Sequence, residues 1–428
     1  MMKRKLFIAA ILGVFILSGC EDFLDEQPVS SLSKDNFYNN GTDLRYAIDG
    51  AYALTRQAYA NESVITELRT INSTTATNEG EWDDLDTHVA TSNNTLALKF
   101  WNAQYDVINS TNLVLENIDI ATEDEGRSLI EAEALFLRAL MHFNLARNFE
   151  ELYYMENSVS WNEALDLTRV APETVYPKMI ADLKVAIPNL PYQDETDHGR
   201  VTKGAAQMLL ADIYLTTGDK ASAKSILGEL INDENNPYSL VADFAEIFTD
   251  ETNSEIIFQI GYVEGSEDLG QEFSQEFTAN GFATGVNIPS IDLIDTFGGS
   301  WDEESSQVTY EGTDSRFAAT IGVYSSKRIF AKYAEDVEYS GKDWIVYRYA
   351  DALLMYVEAG GEIEYFNEVV QRADATVSPV SSVTDAELLA ERRLEFAGEN
   401  KYIFDVRRLD PTNGLPKLVV PSREDRVR

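Results

Sequence analysis

Residues 203–231 constrain the fold more strongly than any other stretch of this chain. Apolar and small residues recur there every three or four positions on both sides of Gly218. The members of this pattern are Leu210, Ala211, Tyr214, Ala223, Leu227 and Leu230. Such spacing predicts two amphipathic helices, and a glycine between them can adopt the left-handed conformation that ends a helix. Because a short helix pair cannot bury its apolar face alone, the sequence predicts a mainly α fold in which several pairs stack.

A second, weaker copy of the pattern begins at Arg348. Gly360 takes the place that Gly218 has in the first copy, and a helix is predicted to follow it over residues 362–373. Antiparallel pairs of this kind are typical of tetratricopeptide-like repeats. Further helices are predicted over residues 42–59, 95–118, 125–149, 172–187 and 385–398. Together these elements predict a platform of tetratricopeptide-like helix pairs.

Two segments interrupt the helical periodicity. Residues 73–94 show no helical or strand period and contain many turn-forming residues, so they are predicted to form a long loop. Residues 233–345 are irregular, with β-like stretches at 255–261 and 345–347. We expect both segments to contribute to an irregular, β-containing lobe. The predicted organisation is a signal peptide (1–19), a lipidated N-terminus and tether (20–41), the platform (42–232) with its inserted loop (73–94), the variable lobe (233–345), and a C-terminal helical part that completes the platform (346–428).

The N-terminal segment has the composition of an export signal. Three positive residues at positions 3–5 precede an apolar run over residues 6–17. That run is too short to span a ~30 Å hydrocarbon core as a helix, which needs roughly 20 residues, and it has the length of a signal-peptide core. The run ends in Leu17-Ser18-Gly19-Cys20, which contains the only cysteine of the chain. This motif resembles the bacterial lipobox, in which the cysteine is acylated and becomes the new N-terminus.

We therefore predict that Cys20 carries lipid and anchors the protein to a membrane. Glu21 and Asp22, which follow it, resemble the acidic signal of lipoproteins on the outer face of the outer membrane. The expected location is thus the outer membrane, facing the cell exterior. An ordinary secretory signal with a chance cysteine is the alternative.

The charge of the chain excludes some classes of partner. Its formal net charge is −39, and removal of Lys3, Arg4 and Lys5 with the signal peptide would make it −42. A body this acidic repels phosphate backbones, so nucleic-acid binding is not expected. Three histidines that lie far apart in the sequence and no free thiol argue against a zinc site. The run Asp83-Asp84-Leu85-Asp86 lacks the glycine and glutamate positions of an EF-hand.

Catalytic motifs are not found either. The sequence has no Gly-x-Ser-x-Gly, no His-Glu-x-x-His and no phosphate-binding loop. Its 73 acidic residues would form pairs by chance, so a glycosidase dyad cannot be argued from their number. No catalytic residue, metal or cofactor is predicted, and the chain is interpreted as a non-enzymatic protein.

The C-terminal region is rich in arginine and carboxylate residues. These are Glu391, Arg392, Arg393, Glu395, Asp405, Arg407 and Arg408. Planar Arg–carboxylate pairs can fix the position of a helix, so a structural ion-pair network is predicted here.

Five segments, in order, resemble the SusD/RagB family of outer-membrane nutrient-binding lipoproteins. They are CEDFLDEQP, FWNAQYDVINSTNLVLENI, EAEALFLRALMHFNLARNFE, RVTKGAAQMLLADIYLTTGD, and RYADALLMYVEA through ERRLEFAGENKYIFDVRR. The resemblance implies an α-helical SusD-like fold and a SusC-like TonB-dependent outer-membrane transporter as partner. It also implies an oligosaccharide ligand, or alternatively a glycopeptide or peptide. A tetratricopeptide scaffold that binds only protein is the alternative, and a surface glycoside hydrolase is a more distant one.

Aromatic side chains are the candidate contacts for a sugar, because the apolar face of a sugar ring stacks on them. Aromatics in irregular segments are the candidates, since those in helical periods, such as Trp101 and Tyr214, are predicted to lie in the core. The candidate ligand-binding residues are Trp82 and Trp301, with Phe282, Tyr310 and Trp161 as weaker candidates. The alternative for each is that its ring fills a local apolar cluster.

Overall fold

The computed structural model describes residues 37–75, 80–278 and 285–418. The predicted signal peptide, Cys20 and Phe282 lie outside the described residues. The helices are α1 Gly41–Tyr59, α2 Glu62–Thr66, α3 Glu81–Asp86, α4 Thr95–Glu116, α5 Arg127–Asn148, α6 Trp161–Ala164, α7 Tyr176–Ala186, α8 Lys203–Thr216, α9 Lys220–Asn232, α10 Phe273–Glu276, α11 Ile291–Thr296, α12 Arg316–Thr320, α13 Tyr349–Glu358, α14 Glu364–Ala373, α15 Asp385–Glu395 and α16 Tyr402–Leu409. The strands are β1 Ser73–Thr74, β2 Ile256–Ile260, β3 Ile288–Pro289, β4 Ser300–Asp302, β5 Gln307–Thr309, β6 Ile321–Tyr324, β7 Lys327–Phe330 and β8 Trp344–Arg348.

The long helices form a layered platform, which confirms the predicted mainly α fold. Helix α1 packs on α4, α4 on α5, and α5 on α7, and the pairs α8–α9 and α13–α14 follow with α9 against α13. The apolar faces of these helices form the main core. Among the described helices, none has the length and apolar character needed to cross a membrane.

Both predicted helix pairs are confirmed, and each turns at a glycine. Gly218 has a φ of +80° and Gly360 a φ of +86°, values that only glycine adopts without strain. Asp219 caps the start of α9, since its carboxylate accepts a hydrogen bond from the Ser222 N–H at 3.1 Å. The turn and the cap together fix where one helix ends and the next begins.

The prediction of a loop over residues 73–94 is wrong in part. This segment contains strand β1 and helix α3. Glu81 accepts hydrogen bonds from the backbone N–H of Thr95, at 2.7 Å, and from its hydroxyl, so the start of α3 is tied to the start of α4. Since this tie joins residues 14 apart, the local composition of the segment gave no sign of it.

Short antiparallel strands build the lobe. The predicted strands at 255–261 and 345–347 are confirmed as β2 and β8, which pair with each other and are buried along their whole length. Strand β1 pairs with β3, with Ser73 opposite Pro289. Segments 73–94 and 233–345 therefore meet, although the boundaries of the predicted domains stay a prediction.

A buried ion network joins the lobe to the platform. Glu395 on α15 accepts ion pairs from three arginines on three different elements, Arg316 on α12, Arg348 on β8 and Arg372 on α14. Burial alone would raise the pKa of Glu395, but these guanidinium groups overcome that effect and hold its pKa below its ordinary value. The three arginines were not predicted as partners, because Arg372, Arg348 and Arg316 lie 23, 47 and 79 residues before Glu395 in the sequence.

The predicted C-terminal network is present with one correction. Arg392 pairs with Asp351 at 2.8 Å and with Asp405 at 2.9 Å, and Arg408 pairs with Glu358 at 3.0 Å. Arg407 does not join it: within the described part of the chain, its guanidinium donates only to main-chain carbonyls. The remaining predicted members also take part, with Glu391 on Arg316 and Arg393 on Asp292.

Candidate ligand-binding face

Two β-hairpins form the part of the lobe that carries Trp301, and Tyr310 follows directly after one of them. We call the surface of residues 300–309 and 321–330, the hairpins β4–β5 and β6–β7, the hairpin face. Strand β5 lies against β6, and β7 lies against β3. A lone two-stranded hairpin is marginally stable in water, so each hairpin depends on these contacts with its neighbours.

Trp301 lies on β4 and is half buried. The guanidinium of Arg328, on β7 of the other hairpin, lies over its ring, with 5.5 Å between Cζ and the ring centroid. Such a cation–π contact fixes the orientation of the indole. The indole N–H is buried and has no acceptor within the described residues, so the N–H edge of the ring points into the protein. The contact between the two hairpins therefore orients Trp301.

Burial also affects the cation that covers this ring. Burial lowers the pKa of Arg328, and Glu303, at 3.8 Å from its Nη1, acts against that shift. The arginine nevertheless remains charged near neutral pH, because its ordinary pKa is about 12.5. The indole thus has a permanent positive neighbour.

Tyr310 follows β5 and is also half buried. One face of its ring stacks on Phe317, with 4.1 Å between the centroids and 15° between the planes. Its hydroxyl accepts a hydrogen bond from the Asp314 N–H at 2.8 Å. A Cβ at Gly312 would lie 2.4 Å from the Tyr310 ring, so the chain passes close to it as well. These contacts indicate that a large part of the ring serves local packing.

Trp82 lies in the first turn of α3 and is half buried against the main core. The helix that carries it is held at both ends. Glu81 is bound to Thr95, as described above. Asp86, at the other end, accepts hydrogen bonds from the Thr74 hydroxyl at 2.9 Å and the Thr75 N–H at 3.1 Å. Burial raises the pKa of Asp86, and the bonds from Thr75 and Thr74 oppose the shift.

A continuous set of contacts connects the two tryptophans. Asp86 binds β1, β1 pairs with β3, β3 lies against β7, and Arg328 on β7 covers Trp301. Within the described residues no ring-to-ring contact joins Trp82 to Trp301. Both tryptophans are half buried against the main core, so neither is fully exposed on the surface. The assignment of Trp82, Trp301 and Tyr310 as ligand contacts stays a prediction, as does that of Phe282.

The hairpin face also carries aromatic and apolar surface that the sequence reasoning missed. Tyr324 and Val323, at the end of β6, are each 37% exposed. The Tyr324 hydroxyl donates to Asp336 at 2.8 Å, which orients its ring. The hairpin turns at Ser325 and Ser326, with φ of 48° and 64°, a conformation that serines adopt rarely. Because neither residue is a typical residue for such a turn, the sequence gave no hairpin signal here.

The described residues do not bring together a metal-binding set. In residues 37–75, 80–278 and 285–418, no three His, Cys, Asp or Glu side chains converge on one point. What the hairpin face offers is partly open aromatic surface with a nearby guanidinium, an arrangement suited to stacking and hydrogen bonding.

Comparison with known proteins links this chain to one family. A family model described as "Starch-binding associating with outer membrane" matches residues 22–215, and the model described as "SusD family" matches residues 303–417. SusD-like protein P2 of Formosa agariphila is 26% identical over 95% of this chain and 91% of the relative. A SusD-like protein of Bacteroides ovatus is 23% identical over 95% of this chain and 82% of the relative.

Solved structures with the same fold include two whose names state a ligand. Surface glycan-binding protein A from Bacteroides uniformis superposes with a TM-score of 0.73 at 22% identity, over 88% of this chain and 90% of the other. A laminarin-binding SusD-like protein superposes with a TM-score of 0.71 at 21% identity, over 87% of this chain and 92% of the other.

Proposed function

Because this chain belongs to the SusD/RagB family, a family of carbohydrate-binding proteins, we propose that it captures an oligosaccharide and delivers it to a SusC-like TonB-dependent outer-membrane transporter. A glycopeptide or peptide is the alternative ligand. The protein acts as a binder that releases its ligand unchanged, not as an enzyme. The lipid on Cys20 holds it at the outer membrane, facing the cell exterior.

The observation that carries the proposal is the half-open pair of indoles in a family of carbohydrate binders. Trp301 is oriented by Arg328, and Trp82 by a helix tied at both ends. Rings held this way lose little conformational freedom when a ligand stacks on them, which favours affinity. The guanidinium beside Trp301 adds hydrogen-bond donors for sugar hydroxyls, since an arginine carries five N–H groups.

Stacking on an indole contributes on the order of 1–3 kcal/mol, by analogy with base stacking on aromatic side chains. At 1.4 kcal/mol per factor of ten, removal of one ring would weaken binding about 5- to 150-fold. Starch and laminarin are the first probes, because they are named for the matching family model and for a structural neighbour.

The test compares Trp82→Ala and Trp301→Ala with the wild type in affinity gels that contain a panel of glycans. Tyr46→Ala is the matched control, since Tyr46 is 63% exposed and lies on α1 of the platform. Each tryptophan variant should lose retention by the same glycan, and the control should keep it. Circular dichroism and melting of all variants should remain close to the wild type.

Four outcomes would contradict the proposal. If a tryptophan variant unfolds, that ring is part of the core. If both variants fold and bind normally, the ligand face lies elsewhere. If the wild type is not retained by any glycan, a protein-binding scaffold is favoured. If chromatography finds products after incubation with the glycans, the protein is a hydrolase.

A further inference from the structure

A cavity lies in the platform, and none of its lining residues belongs to the hairpin face. Its volume is about 820 Å³, and it is bounded by α5, α7, the turn between α8 and α9, α16 and the segment that follows α16. Four cations line it, namely Arg147, Arg407, Arg408 and Lys417, together with one carboxylate, Glu173. In the whole chain, 73 acidic residues outnumber 34 lysines and arginines, so this cavity has the opposite charge balance.

Two of the four cations are already paired with carboxylates. Arg408 binds Glu358 at 3.0 Å, and Arg147 binds Asp212 at 3.3 Å. The Nε–H of Arg147 is nevertheless buried without an acceptor within the described residues. These two residues therefore contribute one unused donor and little net charge.

The other two cations have no carboxylate within 4 Å in the described part of the chain. Lys417 donates to the carbonyl of Ala146 at 2.8 Å. Arg407 donates to the carbonyls of Arg147 at 2.6 Å, Leu415 at 2.8 Å and Pro416 at 2.8 Å. Two of these carbonyls belong to the last turn of α5, where cations are favoured by the helix dipole.

The helix end does not balance this positive charge. A helix C-terminus carries the equivalent of roughly half a negative charge, whereas Arg407 and Lys417 carry two full positive ones. A third cation, Arg69, is buried beside them and donates to the carbonyl of Pro416.

The pKa shifts of Arg407 and Lys417 agree with this excess of positive charge, because both pKa values are lowered. Burial, followed by the charge of Arg147, lowers the pKa of Arg407 to about 10. Burial and the charge of Arg407 lower the pKa of Lys417. Arg407 remains cationic at neutral pH, and an anion near either group would oppose these downward shifts.

We propose that this cavity binds a small oxyanion, a carboxylate or sulfate group carried on a compact body with an apolar face. Lys417 and Arg407 each have two N–H hydrogens left after the bonds given above. The cavity wall beside them is apolar, with Pro177, Ile180 and Leu215. A ligand with a charged group at one end and an apolar surface next to it fits this combination of cations and apolar wall. The site is separate from the hairpin face and does not depend on the function proposed for it.

The test is titration calorimetry of the folded protein at low ionic strength, where charge pairing is least screened. Glucuronate is the first probe, glucose is its uncharged match, and inorganic sulfate separates the oxyanion from the sugar body. Glucuronate should bind and glucose should not. Binding of sulfate alone would support the oxyanion site and show that the sugar body is dispensable. Equal heats for glucuronate and glucose would overturn the proposal.

Three variants distinguish a binding site from a structural effect. Lys417→Gln removes one contact to a charged group and should weaken glucuronate binding about 10-fold or more. Lys224→Gln is the matched control, because Lys224 also donates to a main-chain carbonyl, that of Gly360 at 2.7 Å, and lies outside the cavity. Glu173→Gln removes the carboxylate of the cavity wall and should tighten binding, a gain that general destabilisation does not produce.

Equal affinity in Lys417→Gln and Lys224→Gln, or weaker binding in Glu173→Gln, would refute the assignment. Trp82→Ala and Trp301→Ala should bind glucuronate as the wild type does. The same set of variants therefore distinguishes a failure of glycan binding at the hairpin face from a failure of anion binding in the cavity.

Discussion

Glu395 is the residue whose replacement should destabilise this fold most clearly. Its carboxylate is fully buried and pairs with Arg348 at 2.6 Å, with Arg316 at 2.9 Å and with Arg372. The fully buried part of the network contains these three arginines and Lys332, against only three carboxylates. Those carboxylates are Glu255, Glu395 and Glu399. Glu395→Gln keeps the shape of the side chain and leaves these four cations with two fully buried carboxylates, besides Asp314 and Glu391, which remain on Arg316 at the edge of the network.

Removal of one partner from a buried ion pair costs about 3–5 kcal/mol, because an uncompensated charge stays inside the protein. That is a large part of the 5–15 kcal/mol by which domains are typically stable. Glu391→Gln is the control. Glu391 binds only Arg316 within this network, at 2.6 Å, and its side chain is 12% exposed. Its loss should cost about 1.5 kcal/mol, the lower end for a hydrogen bond to a charged group, since Arg316 keeps Asp314 and Glu395.

The assay is urea unfolding of both variants and the wild type as a function of pH. Since the folded pKa of Glu395 lies below its ordinary value of 4.5, its contribution is present above pH 4.5 and is lost as the pH falls toward the folded pKa. The difference between the wild type and Glu395→Gln should therefore shrink on acidification below that pH. A Glu395→Gln protein as stable as the wild type, or no less stable than Glu391→Gln, would refute the reasoning.

Two further predictions concern the turn of the helix pair and the anchor. Gly218→Ala should lower the stability by about 1 kcal/mol, because an alanine at its φ of +80° is strained, although the space around it is open. Gly50→Ala, in the middle of α1 with equally open space, should raise the stability by about 0.5–1 kcal/mol, and equal effects in thermal melting would contradict the assignment of the turn. Cys20→Ala should move the protein from the detergent phase to the aqueous phase in phase partitioning, and retention in the detergent phase would contradict the lipid anchor.

The local pattern of apolar and turn-forming residues was sufficient to predict the parts of the fold that depend on residues close in sequence. The helix pair around Gly218 was predictable because apolar spacing and a glycine at the turn are properties of one short stretch. The strands β2 and β8 were predictable as strands for the same reason. Their pairing was not, since it joins residues 256–260 to residues 344–348. Helix α3 was missed because a bond from Thr95 to Glu81 fixes its start.

The candidate site was likewise predictable only in part from the sequence. The sequence identified Trp82 and Trp301 as indoles outside any helical period, and it identified the family by five ordered segments. Only the tertiary structure decided that Arg328 lies over Trp301, that Phe317 stacks on one face of Tyr310, and that both indoles are half buried. Burial and charge pairing depend on which distant segments meet. Glu395 and Arg407 illustrate this dependence, because in the sequence both are charged residues of the same C-terminal region. Folding gives Glu395 three buried arginines, whereas the hydrogen bonds of the Arg407 guanidinium within the described residues all go to main-chain carbonyls.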